Sequence, residues 1–357
     1  AERRKRKFTP RTLFLSVLHL VSGTNNQGYP RALRKAWNNM GLAGEPVKSS
    51  LTKVRGKISY KFFADRFEQL VGSISSQRRT FRDLYIYATD GHETSIPVSD
   101  DILKCGFRGC SRINNTETYY PRMYMSQLFD VVNELTIGVT QNAIRNENRD
   151  ALELLKSTEK NSVVLYDRAY ISKALLDAHF ERENYFVFRC QRGATFKEII
   201  TFYKSSRRQG EWIYRGKKIR LFKVKNPKTK EDLVLATNLP NLKMKNKEIA
   251  QLYLRRWSIE TSFKDMVQQA LGQWHSKSVN GILQELFARL WLLNFARIQL
   301  LFENPNNEND WLKPNYKKAN LKLLVEFMVD CMPLIIRKKF SEVLKLIHDQ
   351  IRRTMQS

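Results

Sequence analysis

A chain of 357 residues with 42% hydrophobic residues has room for two or three domains and a sizeable core. Its 62 Lys and Arg against 35 Asp and Glu give a formal net charge of +27 and a pI near 10.0, which points to a polyanionic partner. Nucleic acid leads and an anionic membrane follows, since no apolar run is long enough to span a bilayer. Four scattered cysteines (Cys105, Cys110, Cys190, Cys331) exclude a disulfide scaffold, and no second Cys or His pair completes a zinc site with Cys105 and Cys110. A reducing cytoplasm fits that usage.

Residues 1–80 read as a helical DNA-binding domain. The basic run at 3–7 leads into an apolar stretch that Arg11 and His19 interrupt, without a small-x-small cleavage site, so it reads as an arm and an amphipathic helix rather than a signal peptide. Leu13, Val17, Leu20 and Val21 share a face, and Gly23-Thr24-Asn25-Asn26 ends that helix. A second helix runs from Tyr29 to Trp37. A third begins near Ser49 and carries Lys53, Arg55 and Lys57 beside Leu51, Val54 and Ile58. Small basic helices in series suit helix-turn-helix DNA contact; the alternative is a basic bundle that only packs on its neighbour.

Residues 81–190 read as an α/β core. Leu84-Tyr85-Ile86-Tyr87-Ala88-Thr89-Asp90 is a short strand ending in an acid and Gly91, with a second strand starting at Ile96-Pro97-Val98. Residues 122–142 hold another strand or strand-helix unit. Ser162-Val163-Val164-Leu165-Tyr166-Asp167 repeats the first theme, a buried strand capped by Asp. A helix over 172–180 and a strand at Tyr185-Phe186-Val187-Phe188-Arg189 follow. Alternating strands and helices argue for a mixed α/β sheet.

Residues 191–240 change character, with three antiparallel strands around Trp212-Ile213-Tyr214, Ile219–Val224 and Leu233–Thr237. Their turns fall at Arg215-Gly216-Lys217-Lys218 and Asn226-Pro227-Lys228. Between Lys204 and Lys230 stand eleven Lys or Arg and one acid, Glu211. A basic β module with interleaved aromatics suits tracking along a nucleic-acid strand, while a charged sheet edge guarding against aggregation is the alternative.

Residues 241–302 and 303–357 read as helical. One helix is expected over 251–269, a strongly apolar one over 281–302, a loop at Asn304-Pro305-Asn306-Asn307, and two basic amphipathic helices over 318–332 and 336–353. On the first, Tyr253, Arg256, Glu260 and Lys264 fall within an arc of about 80° at ~100° per residue. Leu252, Ile259, Phe263 and Met266 form the adjacent apolar stripe. By itself the row also reads as a surface ladder of i,i+4 ion pairs.

Chemistry emerges when the acids are taken together. Asp90 and Asp167 each end an expected strand, and Glu260 comes from a later helix. Three carboxylates in that order make a hard-oxygen pocket for Mg²⁺ or Mn²⁺, two ions about 3.5–4 Å apart in such sites, suited to phosphoryl transfer. Five unpaired His disfavour zinc chemistry.

The segment Tyr253-Leu254-Arg255-Arg256-Trp257-Ser258-Ile259-Glu260-Thr261-Ser262-Phe263-Lys264 resembles the Tyr-Arg-Glu-Lys signature of DDE transposases of the insertion sequence 4 family. Ala88-Thr89-Asp90-Gly91, Leu165-Tyr166-Asp167-Arg168-Ala169-Tyr170, Leu271-Gly272 with His275-Ser276-Lys277, and Gln284-Glu285-Leu286-Phe287-Ala288-Arg289 are also similar to that family. The resemblance implies an RNase H-like core split by an antiparallel β insertion, with helical N- and C-terminal regions. It implies Asp90, Asp167 and Glu260 as metal-binding catalytic acids, and Tyr253, Arg256 and Arg168 on DNA. The family lysine lies seven residues after the Glu, where Val267 stands here; Lys264, on the same helix face, is the candidate replacement. Trp212, then Tyr214, is the candidate for stacking on a flipped base, or else packs the insertion's own small core. The implied activity is cleavage of inverted-repeat ends in double-stranded DNA and strand transfer, cut-and-paste through a hairpin, by a homodimer in the cytoplasm. A catalytically impaired DNA-binding derivative and a metal-dependent endonuclease are the alternatives.

Overall fold

Short runs of β-branched and aromatic residues make poor helices and good buried strands, and those of this chain meet in one sheet. The computed structural model describes residues 8–22, 28–44, 46–109, 119–193, 196–225, 231–270, 274–303, 321–336 and 340–355. The arm at 3–7, the helix end at 23–26, Cys110, the turn at 226–228, the Leu271-Gly272 pair and the loop at 304–307 lie outside those residues, as does the side chain of Val267.

Four helices come first: α1 (Pro10–Val21), α2 (Gly28–Asn39), α3 (Lys48–Lys57) and α4 (Lys61–Ser73). The Thr9 hydroxyl caps α1 by accepting from the Thr12 N–H at 3.2 Å. Then follow β1 (Tyr85–Ser95), α5 (Asp100–Lys104), β2 (Arg122–Asp130), β3 (Leu135–Asn142), α6 (Glu147–Leu155), β4 (Ser162–Tyr166), α7 (Lys173–Glu181) and β5 (Tyr185–Cys190). The chain continues through α8 (Lys197–Lys204), β6 (Gln209–Tyr214), β7 (Lys217–Lys225) and β8 (Asp232–Thr237). It closes with α9 (Asn246–Leu254), α10 (Ser258–Ala270), α11 (Val279–Glu303), α12 (Leu321–Ile336) and α13 (Phe340–Met355).

Eight strands form one sheet in the order β3-β2-β1-β4-β5-β8-β7-β6. β1, β4 and β5 run parallel at its centre, and antiparallel strands flank them on both sides. Parallel strands need both faces covered. One face packs Ile86, Ala88 and Val163 against a core that includes Leu13, Phe63, Phe263 and Leu286, from α1, α4, α10 and α11. The opposite face packs Tyr87, Val164 and Phe186 against Leu154 of α6, Leu175 of α7 and Ile199 of α8.

Three expectations change here. β1 does not stop at Asp90: it continues to Ser95 because β2 pairs with it along that whole length, past the end of β4. Ile96-Pro97-Val98 is therefore not a new strand; the Ile96 N–H donates to the Pro121 carbonyl at 2.8 Å as the chain leaves the sheet. The basic strands β6, β7 and β8 extend the central sheet through the β5–β8 pairing, and α8 precedes them. Between β6 and β7, Arg215 and Gly216 both take positive φ (46° and 74°), the geometry of a two-residue hairpin turn.

Arg55 also departs from its expected role. It is 5% exposed, and its guanidinium donates to Gln284 Oε1 (3.0 Å), the Gly281 carbonyl (2.7 Å) and Glu285 Oε1 (2.9 Å), all on α11. A charge so buried needs a partner, and Arg55 has spent its donors inside the protein rather than on DNA. Lys53 and Lys57 stay exposed on the outer face of α3.

Candidate active site

The parallel register between β1 and β4 pairs Thr89 with Tyr166, so the next residues along the two strands are Asp90 and Asp167. Neighbouring strands lie about 4.8 Å apart, which sets the two acids side by side where β4 ends. Alternation along β1 places Asp90 on the face of Ile86 and Ala88, the face that α10 covers. The His92 and Phe263 rings, 5.1 Å apart at 25°, fix α10 against that strand.

The expected single helix over 251–269 is broken. A 3₁₀ turn at Arg255–Trp257 separates α9 from α10, and the Ser258 N–H donates to the carbonyls of Arg255 and Arg256. Tightening to three residues per turn reorients the following helix. Arg256 becomes 3% exposed while Trp257 faces out at 38%.

Arg256 sits among the acids. Its Nη1 is 3.3 Å from Asp90 Oδ2 and its Nη2 donates to Glu260 Oε1 at 3.0 Å. Burial disfavours its charge, but Tyr253, Asp167, Asp90 and Glu260 outweigh that and push its pKa up. Burial, with the like charges of Asp167 and Glu260, pushes the Asp90 carboxyl up to about 6, against the opposing pull of Arg256 and the Gly91 N–H. The three acids therefore share one electrostatic neighbourhood. Tyr253 is buried there too; burial and the Asp167 charge push its phenol up.

Among the described residues no group of three His, Cys, Asp or Glu side chains stands ready-made to hold a metal ion. The donor chemistry nevertheless fits a hard divalent cation. Asp167 Oδ1 is buried without a hydrogen-bond partner. Asp90 carries like-charge repulsion that a cation would relieve. The link between Asp90 and Glu260 is itself a cation, the Arg256 guanidinium.

Of the other expected residues, Arg168 is exposed directly after Asp167. Lys264 is exposed one turn beyond Glu260, and no ion pair ties it to the acids among the described residues. Trp212 and Tyr214 are only 3% and 8% exposed. They pack with Phe196 on the α7–α8 face of the sheet, Trp212 at 4.7 Å from the Phe196 ring, and Tyr214 donates to Asp177 at 3.1 Å. Neither ring is open to a base, and the core they join is that of the central sheet with α7 and α8 rather than a small core of the insertion's own.

Arg189 was missed. It is the penultimate residue of β5, beside Asp167 by the β4–β5 register, with Nη1 3.5 Å from Asp167 Oδ1. The signal was present: a cation near the end of the parallel strand next to one that Asp167 follows. Also unforeseen is a groove of about 490 Å³ between β7 and α9, lined by Phe222, Lys223, Lys225, Lys247 and Tyr253 among others. It joins basic strand residues to the edge of the acid cluster.

Residues 91–295 match the protein family described as Transposase DDE domain. Over 199 residues the chain is 24% identical to "Transposase InsG for insertion sequence element IS4" of Escherichia coli strain K12; the match covers 51% of this chain and 45% of that protein. The chain thus spans about half the length of the curated relative it matches. A cryo-EM structure of the piggyBac transposase synaptic complex with hairpin DNA aligns with a TM-score of 0.50 at 12% identity, over 96% of this chain and 79% of that one. That likeness is one of fold.

Proposed function

Because the chain belongs to the Transposase DDE domain family, we propose that it is a DNA transposase that binds the inverted-repeat ends of its element, cleaves them and joins them to target DNA. The observation that carries this is the gathering of Asp90, Asp167 and Glu260 around Arg256 where the pairing of the parallel strands β1 and β4 ends. The strand order β3-β2-β1-β4-β5, antiparallel then parallel, supports an RNase H-like core, with β6–β8 as its basic β insertion. The residue 1–80 region would bind DNA through Lys53 and Lys57, and the C-terminal helices would complete a homodimer holding two ends. Such work places the protein with cytoplasmic DNA.

Asp90, Asp167 and Glu260 would hold Mg²⁺ or Mn²⁺, which supplies Lewis acidity to a phosphodiester. The rest falls to the chain's own groups. Arg256 and Arg189 are positioned to engage phosphate oxygens, which their planar forks match as well as carboxylates. Arg168 and Lys264, both exposed, add charge at the rim. Tyr253, buried beside Arg256 and Asp167, lines the inner end of the groove. Lys247, exposed along the groove, is a cation for the DNA strand leading to the acids, whereas Lys223 donates to the Tyr203 and Ser205 carbonyls and Lys225 pairs with Asp232.

The test is incubation of the protein with duplex carrying its own element's end and Mn²⁺, with nicked, hairpinned and joined products resolved on a denaturing gel. Joined product from the parent chain, lost in Glu260→Gln with DNA affinity unchanged, is expected. Metal-dependent nicking without joining would leave an endonuclease, and full activity in Glu260→Gln would overturn the site.

A further inference from the structure

Arg256 does two things that conflict. Its Nη1 and Nη2 engage Asp90 Oδ2 (3.3 Å) and Glu260 Oε1 (3.0 Å), linking an acid of β1 to an acid of α10. Arg189 leans on the third acid, Asp167, at 3.5 Å. An ion held by Asp90 and Glu260 would compete with the guanidinium for these two carboxylates and stand against its positive charge. Conversely, these arginines are the cations set to receive a DNA phosphate, and they meet it only by loosening their hold on the acids. Arg256 is also incompletely satisfied: it is 3% exposed, and its Nε is buried without a hydrogen-bond partner.

Building on the transposase reading above, we propose that Arg256, assisted by Arg189, is a positioning residue that latches the acid cluster in the DNA-free protein, and that a DNA phosphate draws the latch away. Ion binding and DNA binding are then positively coupled. A phosphate competes well for a guanidinium because both its partners are bidentate oxyanions. Once Arg256 turns to phosphate, Asp90 and Glu260 lose their counter-charge and gain most from a divalent cation. Linkage makes the effect reciprocal, so the ion tightens DNA binding by the same factor that DNA tightens ion binding. The latch also withholds the cutting centre from free ions until DNA is in place.

The experiment titrates Ca²⁺, chosen to limit turnover, into the full chain by calorimetry, with and without a duplex of the element's own end. Fluorescence anisotropy measures the affinity for that duplex with and without Ca²⁺. In the parent chain each ligand should tighten the other by about 5- to 150-fold, the usual range of such coupling. Arg256→Gln should bind Ca²⁺ without DNA as tightly as the parent does with it, and its coupling factor should fall towards one. Arg189→Gln should lower the factor in part. Should Arg256→Gln fail to melt cooperatively, Arg256→Lys serves, because a single ammonium cannot span both carboxylates as the fork does. Ion affinity indifferent to DNA in the parent, or full coupling in the Arg256 variant, overturns the latch alone. No ion bound in either state overturns the latch and the catalytic reading together.

Discussion

Replacing Glu285 by Gln should destabilise the protein by about 3–5 kcal/mol, because it strands buried arginine charge without its counter-ion. Glu285 is fully buried on α11, with Arg55 Nη2 at 2.9 Å, Arg289 Nη2 at 3.8 Å and the His275 N–H donating to it at 2.9 Å. Burial by itself would raise its carboxyl; Arg55, the His275 hydrogen bond and Arg289 overcome that and bring it from 4.5 to about 2. That lowering is worth on the order of 3 kcal/mol. The folded value lies below the unfolded one, so this stabilisation is complete above pH 4.5 and is lost as pH falls towards 2. At about 2.1 cal/mol/K per residue over 357 residues, the loss lowers the melting temperature by about 4–7 °C. Urea and thermal melts of both proteins, followed by tryptophan fluorescence from neutral pH into acid, measure the gap. It should narrow by about 2 kcal/mol by pH 3, since only the parent has a carboxylate there to protonate. A gap under about 1 kcal/mol at neutral pH, or one that stays constant into acid, refutes the reasoning.

Two further outcomes are expected. Asp90→Asn should be more stable than the parent at pH 8, by about 1–3 kcal/mol, while losing all strand cleavage. Asp90 is held near 6 against an ordinary 3.8, so the folded state keeps its proton more tightly and stability falls as pH rises through that window. Melts at pH 8 and pH 3 read the difference, which should vanish at the lower pH, below the ordinary 3.8; a variant less stable at pH 8 contradicts the origin given for the shift. Trp212→Ala should cost about 3–5 kcal/mol as a core cavity, whereas Trp212→Phe should leave the pattern of DNA products unchanged. Loss of hairpinned or joined product in the Phe variant, without a lower melting temperature, would return Trp212 to the DNA.

Much of the centre of the fold is legible in the chain. The runs at 85–90, 162–166 and 185–190 are short, apolar and rich in β-branched or aromatic residues, and parallel strands buried on both faces need just that. The nearness of Asp90 and Asp167 follows once those strands pair in register. Partnerships across long separations are not legible. Arg55 looks like its neighbours Lys53 and Lys57, and only the fold brings it to Glu285, 230 residues away. Glu211-Trp212-Ile213-Tyr214 has apolar residues on both faces, so alternation cannot say which face is inside; the structure buries Trp212 and Tyr214 and leaves Ile213 61% exposed. The 3₁₀ break before Glu260 was hidden for a related reason. Tyr253, Arg256 and Glu260 keep helical spacing, and one tightened turn leaves no mark in the residue pattern.

The seam between α3 and α11 carries a last consequence. Arg55 ties α3 to Gln284 and Glu285, and farther along the same α11 Arg297 donates to Ser262 of α10 at 3.2 Å, two residues from Glu260. The helix that carries the exposed lysines, α3, and the helix that carries the acid, α10, are thus tied to the same long helix. A duplex gripped at Lys53 and Lys57 would be measured along that shared helix as by a ruler. The distance from grip to cut would be a property of the protein's frame, and lengthening the DNA between them would move the break rather than bend the enzyme.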